Sequence, residues 1–149
     1  MLHVQRAVDR ATLPSSAALR KWARAALARD AHVTLRFVGA AEGARLNGAY
    51  RGKPSPTNIL TFVYDDVTPL MGDLVLCVPV LEREARAQGK SLRDHCAHLV
   101  VHGMLHLQGH DHLEERQARR MERRERAILA MFGIADPYLL PRDDAHETR

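Results

Sequence analysis

Four histidines and an aspartate crowd the stretch HGMLHLQGHDH, His102 to His112, in a chain of 149 residues with nine histidines in all. On a helix His102 and His106 project from one face, with Cβ atoms about 5–6 Å apart. Two imidazoles at that spacing can converge on one cation with Zn–N bonds of about 2.0–2.1 Å. Gly109 follows and can take the left-handed conformation that ends a helix. The chain can then turn back so that His112 supplies a third nitrogen. Chance alone readily gives a histidine pair one turn apart; it does not readily add a third beyond a glycine turn. Three neutral imidazoles favour one Zn2+ per chain, or another late transition metal, and leave a coordination position open.

Other side chains around this set have two readings each. His98 continues the face one turn upstream and either supports a ligand or lines the cleft. His95, nearer the helix start, is expected to be exposed. Asp111 either orients a ligand imidazole through its second nitrogen or stabilises the turn, and His110 could compete as a ligand. Asp73 interrupts an apolar strand, so it reaches the cleft or pairs internally. Beyond the motif, Arg116, Arg119, Arg120, Arg123, Arg124 and Arg126 alternate with Glu114, Glu115, Glu122 and Glu125. Such mixed charge reads as a solvated helix face rather than an RNA contact.

The elements that must position these groups follow from periodicity and stop signals. Ser91-Leu92-Arg93-Asp94 resembles a capping box and opens a helix from about Leu92 to Leu107 that carries the histidines. LEERQARRMERRERAILAMFG predicts a second long helix, ending near Gly133. HVTLRFVG, from His32, alternates as a half-buried strand. NILTFVYDD and LMGDLVLCV read as strands buried in a sheet. PVLEREARAQG has the proline start and glycine end of a helix. Pro14-Ser15-Ser16 starts another, continued by AALRKWARAALARD, with Ala18, Trp22, Ala25 and Ala26 inward. AEGARLNGAYRG suggests a short helix interrupted by glycines, and Lys53 to Thr57 a proline-rich loop. Helices and strands without regular alternation predict an α+β domain, a small sheet covered by helices. One domain over residues 1–140 and a polar tail over 141–149 are expected.

Composition narrows the class of function. The apolar fraction of 46% and charged fraction of 27% are those of an ordinary folded protein. Nothing approaches the roughly 18 consecutive apolar residues that a membrane span needs. The N-terminal residues lack a basic segment followed by an apolar one, so no signal peptide is expected and the location expected is cytoplasmic. Cys77 and Cys96 are expected to be buried free thiols. A net charge of +4, with arginine far outnumbering lysine, suggests an anionic partner without establishing one.

The spacing around His102 is similar to the zincin signature H-E-x-x-H-x-x-G-x-x-H of metalloproteases. Gly103, however, stands where those enzymes carry their glutamate base. Glycine cannot take a proton, and mid-helix it costs about 1 kcal/mol relative to alanine. Close approach of another backbone or of substrate is the expected reason for it. Peptide hydrolysis by the zincin route is disfavoured.

YRGKPSPTNILTF, MGDLVLC and HLVVHGMLHLQGHDH, in that order along the chain, closely resemble motifs of the YbeY family, bacterial single-strand-specific endoribonucleases linked to ribosomal RNA maturation. The matches span Tyr50 to His112. Thr61, Val63-Tyr64 and His110 depart from the usual residues, which leaves metal binding untouched but bears on substrate preference. The resemblance implies a mixed sheet of about four strands with a zincin-like metal site on a central helix. It implies that His102, His106 and His112 hold the metal and that Arg51 serves the active site. Its implied role is metal-dependent cleavage of single-stranded RNA, in small-subunit rRNA 3′-end maturation and ribosome quality control. The implied partners are ribosomal RNA or the small subunit, with ribosome-associated proteins.

A phosphodiester needs a Lewis acid and a cation beside its oxygens, and Arg51 suits the second task. The general base stays open between water on the metal, His98 and Asp111, and the RNA 2′-hydroxyl is a further candidate nucleophile. A metalloprotease and a non-catalytic ribosome-assembly factor with a structural metal are the rival classes. Gly103 argues against the first, and an open coordination position against the second.

Overall fold

The computed structural model describes residues 1–8, 10, 12–53, 55–64, 69–109 and 115–139. Its elements run β1 (Leu2–Arg6), α1 (Ser16–Ala25), β2 (Ala31–Val38), α2 (Ala40–Arg51), β3 (Ile59–Tyr64), β4 (Leu70–Cys77), α3 (Val78–Gln88), α4 (Leu92–Leu107) and α5 (Glu115–Ala130). The strands form one mixed sheet in the order β1-β2-β4-β3. β1 and β2, and β2 and β4, pair in parallel, while β3 runs antiparallel to β4 along one edge. The α+β class and the four-stranded mixed sheet are as expected.

Burial explains the strand sequences. β2 alternates, with Val33, Leu35 and Phe37 inside. β4 sits between two neighbours and is covered on both faces over its second half, so Leu74, Val75, Leu76 and Cys77 are all buried. Leu74 and Leu76 join the main core with Trp22 of α1, Val100 and Met104 of α4, and Leu129 of α5. Val75 and Cys77 face a smaller cluster with Leu60, Val80 and, from α2, Leu46. The two free thiols are buried as expected, and burial pushes Cys96 up to about 12.

Three elements differ from expectation. β1 was not legible, because Leu2 and Val4 are its only apolar residues and it completes its ladder on β2. α1 starts as expected, with Ser15 Oγ accepting from the Ala18 N–H at 3.1 Å, but stops at Ala25. α2 is continuous through Gly43 and Gly48. Gly43 lies against Cys77 of β4, where a Cβ would come within 3.1 Å of the sulfur. That close approach selects a glycine without breaking the helix.

α4 forms as its sequence predicts. Ser91 Oγ accepts from the Asp94 N–H at 3.0 Å, a cap worth about 1 kcal/mol. Its far end is fixed by Gln108, whose Nε2 donates to the Ala26 carbonyl while its Oε1 accepts from the Ala28 N–H, both at 2.8 Å. Gly109 then takes φ +89°, the left-handed value expected of it. Val100, Val101, Met104, Leu105 and Leu107 bury most of the helix surface. His98, His102 and His106 lie on the part that remains.

Candidate active site

Ile59 packs against the main core below α4, while Leu60 and Phe62 face the cluster on the α2 side. β3 is an edge strand, so structure from both faces of the sheet meets there. The result is a cleft of about 470 Å³ lined by Tyr50 and Arg51 from the end of α2, residues 59–62 of β3, and His102 and His106 of α4. Arg51 is the last residue of its helix, closed by Gly52 at φ +71°, and a cation there suits the negative end of the helix dipole. Tyr50 is 67% exposed and meets Phe62 edge-on, with ring centroids 4.8 Å apart.

His102 and His106 bring their ring centroids to 6.5 Å, in the edge arrangement of two imidazoles stacked one helical turn apart. His110, Asp111 and His112 lie outside the described residues. Two imidazoles lining one cleft offer the nitrogen donors that a late transition metal prefers.

On its far side the same histidine meets a buried carboxylate. Glu125, on α5, is fully buried. Its Oε2 accepts from His102 Nδ1 and its Oε1 from the Tyr138 hydroxyl, and His98 Nε2 stands 3.6 Å from Oε1. Burial alone raises a carboxyl, but the His102 and His98 imidazoles and the Tyr138 hydroxyl outweigh it and bring Glu125 down to about 2. Tyr138 is pushed the other way by burial and by that carboxylate, so it stays a donor. His98, His102 and Glu125 offer ligand atoms within 4.8 Å of one another and could form a metal site.

Several expectations are corrected here. Glu125 is not on a solvated face, although Arg116, Arg119, Arg120, Arg123 and Arg124 are exposed. Its signal was its place in the apolar stripe of Met121, Ile128 and Leu129. Tyr138, in the segment after α5, carried no signal. His95 is buried rather than exposed, its Nε2 2.8 Å from Glu84 Oε1. Of the two readings of Asp73, internal pairing is the one observed: it faces away from α4 and accepts from Tyr64 across the β3–β4 pair. His98 lies behind His102, against Tyr138 and Glu125, and does not line the cleft with Arg51.

Gly103 is explained by packing. A Cβ there would lie 2.9 Å from Ile59 Cδ1 and 3.0 Å from both Leu74 methyls. Neither substrate nor another backbone is what it accommodates; two sheet side chains are. A side chain at this position would enter the core between helix and sheet.

An open mixed sheet with a histidine-bearing helix across it, and an arginine on the rim of the same edge cleft, defines an α+β protein in which His98, His102 and Glu125 could form a metal site. A family model described as Endoribonuclease YbeY matches residues 6–133, and the chain belongs to the YbeY family. Proteins named Endoribonuclease YbeY are similar to it over most of its length. The one from Aromatoleum aromaticum is 58% identical over 140 residues, covering 92% of this chain and 91% of that protein. The one from Pseudomonas putida is 52% identical over 155 residues, covering 99% and 96%. The solution structure of TM1509 from Thermotoga maritima shares the fold, with a TM-score of 0.58 at 22% identity, over 93% of this chain and 99% of that one.

Proposed function

We propose that this chain is a metal-dependent endoribonuclease that cleaves single-stranded RNA, with the metal held by His102, His106 and His112. The observation that carries the reading is the shared cleft: two imidazoles of α4 and the Arg51 guanidinium line one cavity. Zn2+ or another late transition metal, when bound, supplies a Lewis acid and an activated water. Arg51 binds a phosphate oxygen through its planar fork and stabilises the charge added in the transition state. Tyr50 offers an exposed ring beside it on which an unstacked base can rest, which supports the preference for single strands. Gly103, buried against Ile59 and Leu74, leaves the zincin base position without a carboxylate.

Family membership supports a role in ribosomal RNA processing, with small-subunit rRNA 3′-end maturation and ribosome quality control as the processes and the small subunit as the partner. No helix among the described residues is long and apolar enough to cross a membrane, which is compatible with a cytoplasmic site of action.

The test incubates zinc-loaded protein with one RNA sequence as single strand and as duplex, with casein alongside. The single strand is cut, the duplex poorly and casein not at all, and the cutting is absent in His102→Ala. Casein hydrolysis that disappears in His102→Ala contradicts the reading in favour of a protease. No cleavage of either polymer, with ribosomal particles still bound, contradicts it in favour of an assembly factor.

A further inference from the structure

The YbeY reading needs His102 to present a defined nitrogen to the cleft, and the buried group behind it determines which. Glu125 is fully buried and has an acceptor bond at each oxygen, from His102 Nδ1 and from the Tyr138 hydroxyl. Nδ1 is the ring nitrogen turned to Glu125 Oε2, and a carboxylate oxygen in such a pair accepts the imidazole N–H. An imidazole that carries its proton on Nδ1 ligates a metal through Nε2. We infer that Glu125 is a positioning residue for the metal. It selects the Nδ1–H tautomer of His102 and fixes the ring, so that Nε2 is the ligand atom.

The segment after α5 holds that carboxylate in turn. Gly133 takes φ +72°, and the Ile134 N–H returns to the Leu129 carbonyl at 3.0 Å. Asp136 accepts from the Tyr138 N–H at 2.8 Å and pairs with Arg126 Nε at 2.8 Å. The Arg126 guanidinium lies 5.5 Å from the Tyr138 ring centroid. Tyr138 is thereby set over Glu125, and its hydroxyl occupies the oxygen that His102 does not use. Such an arrangement matches the hydrogen-bonded carboxylates behind metal-binding histidines, whose loss typically costs 10–100-fold in affinity. It differs from the alternative in which Glu125, His98 and His102 Nδ1 ligate the ion directly, because a direct His102–Glu125 hydrogen bond and an ion between the same two atoms exclude each other.

The inference rests on the proposed metal site, and zinc affinity with imidazole ¹⁵N NMR separates the two. Metal-free protein at pH 8 is expected to show His102 protonated at Nδ1, and zinc addition to shift Nε2. Glu125→Leu is expected to weaken zinc binding, read by chelator competition, about 10–100-fold while the circular dichroism spectrum is kept. Tyr138→Phe is expected to weaken it less, and Glu125→Gln, which keeps an acceptor oxygen, to recover part of the loss. Should Glu125→Leu fail to fold, Tyr138→Phe and the wild-type tautomer still decide. A proton on Nε2, zinc on Nδ1, or affinities unchanged in these variants overturns the inference. Wild-type protein that takes up no more zinc than His102→Ala overturns the metal reading itself, whatever the tautomer.

Discussion

Arg51 and His95 show how much a single side chain's surroundings decide. Arg51 ends a helix at the rim of the cleft, exposed and outside the core. Arg51→Ala is therefore expected to cost no more than about 0.5 kcal/mol in stability and to leave zinc content unchanged while RNA cleavage falls. Arg51→Lys should recover only part of it, since the charge remains but the planar fork is lost. Cleavage kinetics unchanged in Arg51→Ala would make this a solvated arginine. His95 illustrates the opposite case. Burial, opposed in part by Glu84, lowers it from its ordinary value of 6.5. Its unfolded form therefore takes up a proton at a pH where the folded form does not, so the stability it contributes is present above 6.5 and lost as pH falls below it. Denaturation midpoints of His95→Gln should fall less steeply below pH 6.5 than those of the parent; parallel slopes would show that His95 is not responsible.

Between elements, Gly72 and Gly103 both mark close approaches, and they are not equivalent. Gly72 of β4 would place a Cβ 2.7 Å from the Phe62 carbonyl oxygen and 2.6 Å from Leu107 Cδ2. A backbone atom of a paired strand cannot yield. Gly103 meets only the tips of Ile59 and Leu74, which can. Gly72→Ala is expected to destabilise by about 1–3 kcal/mol, as overpacking does, and Gly103→Ala by less, helped by alanine's better helix propensity. Urea midpoints check the order, and a larger loss at Gly103 would contradict it. The sequence announced α4 fully, because a serine cap, an apolar surface and a terminal glycine are all local signals. It concealed Glu125, because in a helix crowded with arginine and glutamate the eye assigns every charge to solvent. Only its spacing from Met121, Ile128 and Leu129 marked it, and its partners His102 and Tyr138 come from tertiary packing. β1 was hidden for a related reason, since five residues on a sheet edge take their structure from the strand beside them.

Across the whole molecule, three separated stretches of chain meet around His102, one across the cleft at the β3 edge and one behind the helix. The α2 end supplies Arg51, α4 supplies His102 and His106, and α5 with its following segment supplies Glu125 and Tyr138. The histidine spacing was legible in advance, whereas the approach of α2 from the opposite face of the sheet depended on topology. A basic chain with an anionic substrate adds that RNA binding should weaken as salt rises, in proportion to the phosphates contacted; salt-independent binding would oppose the proposed substrate class. The central claim is that the histidine face of α4 holds the metal that RNA cleavage requires. It is tested most directly by measuring zinc content and cleavage of one single-stranded RNA on the same samples of parent and His106→Ala protein. The account predicts one zinc per chain with cleavage in the parent, and loss of both in the variant. Full zinc stoichiometry and undiminished cleavage in His106→Ala would contradict it.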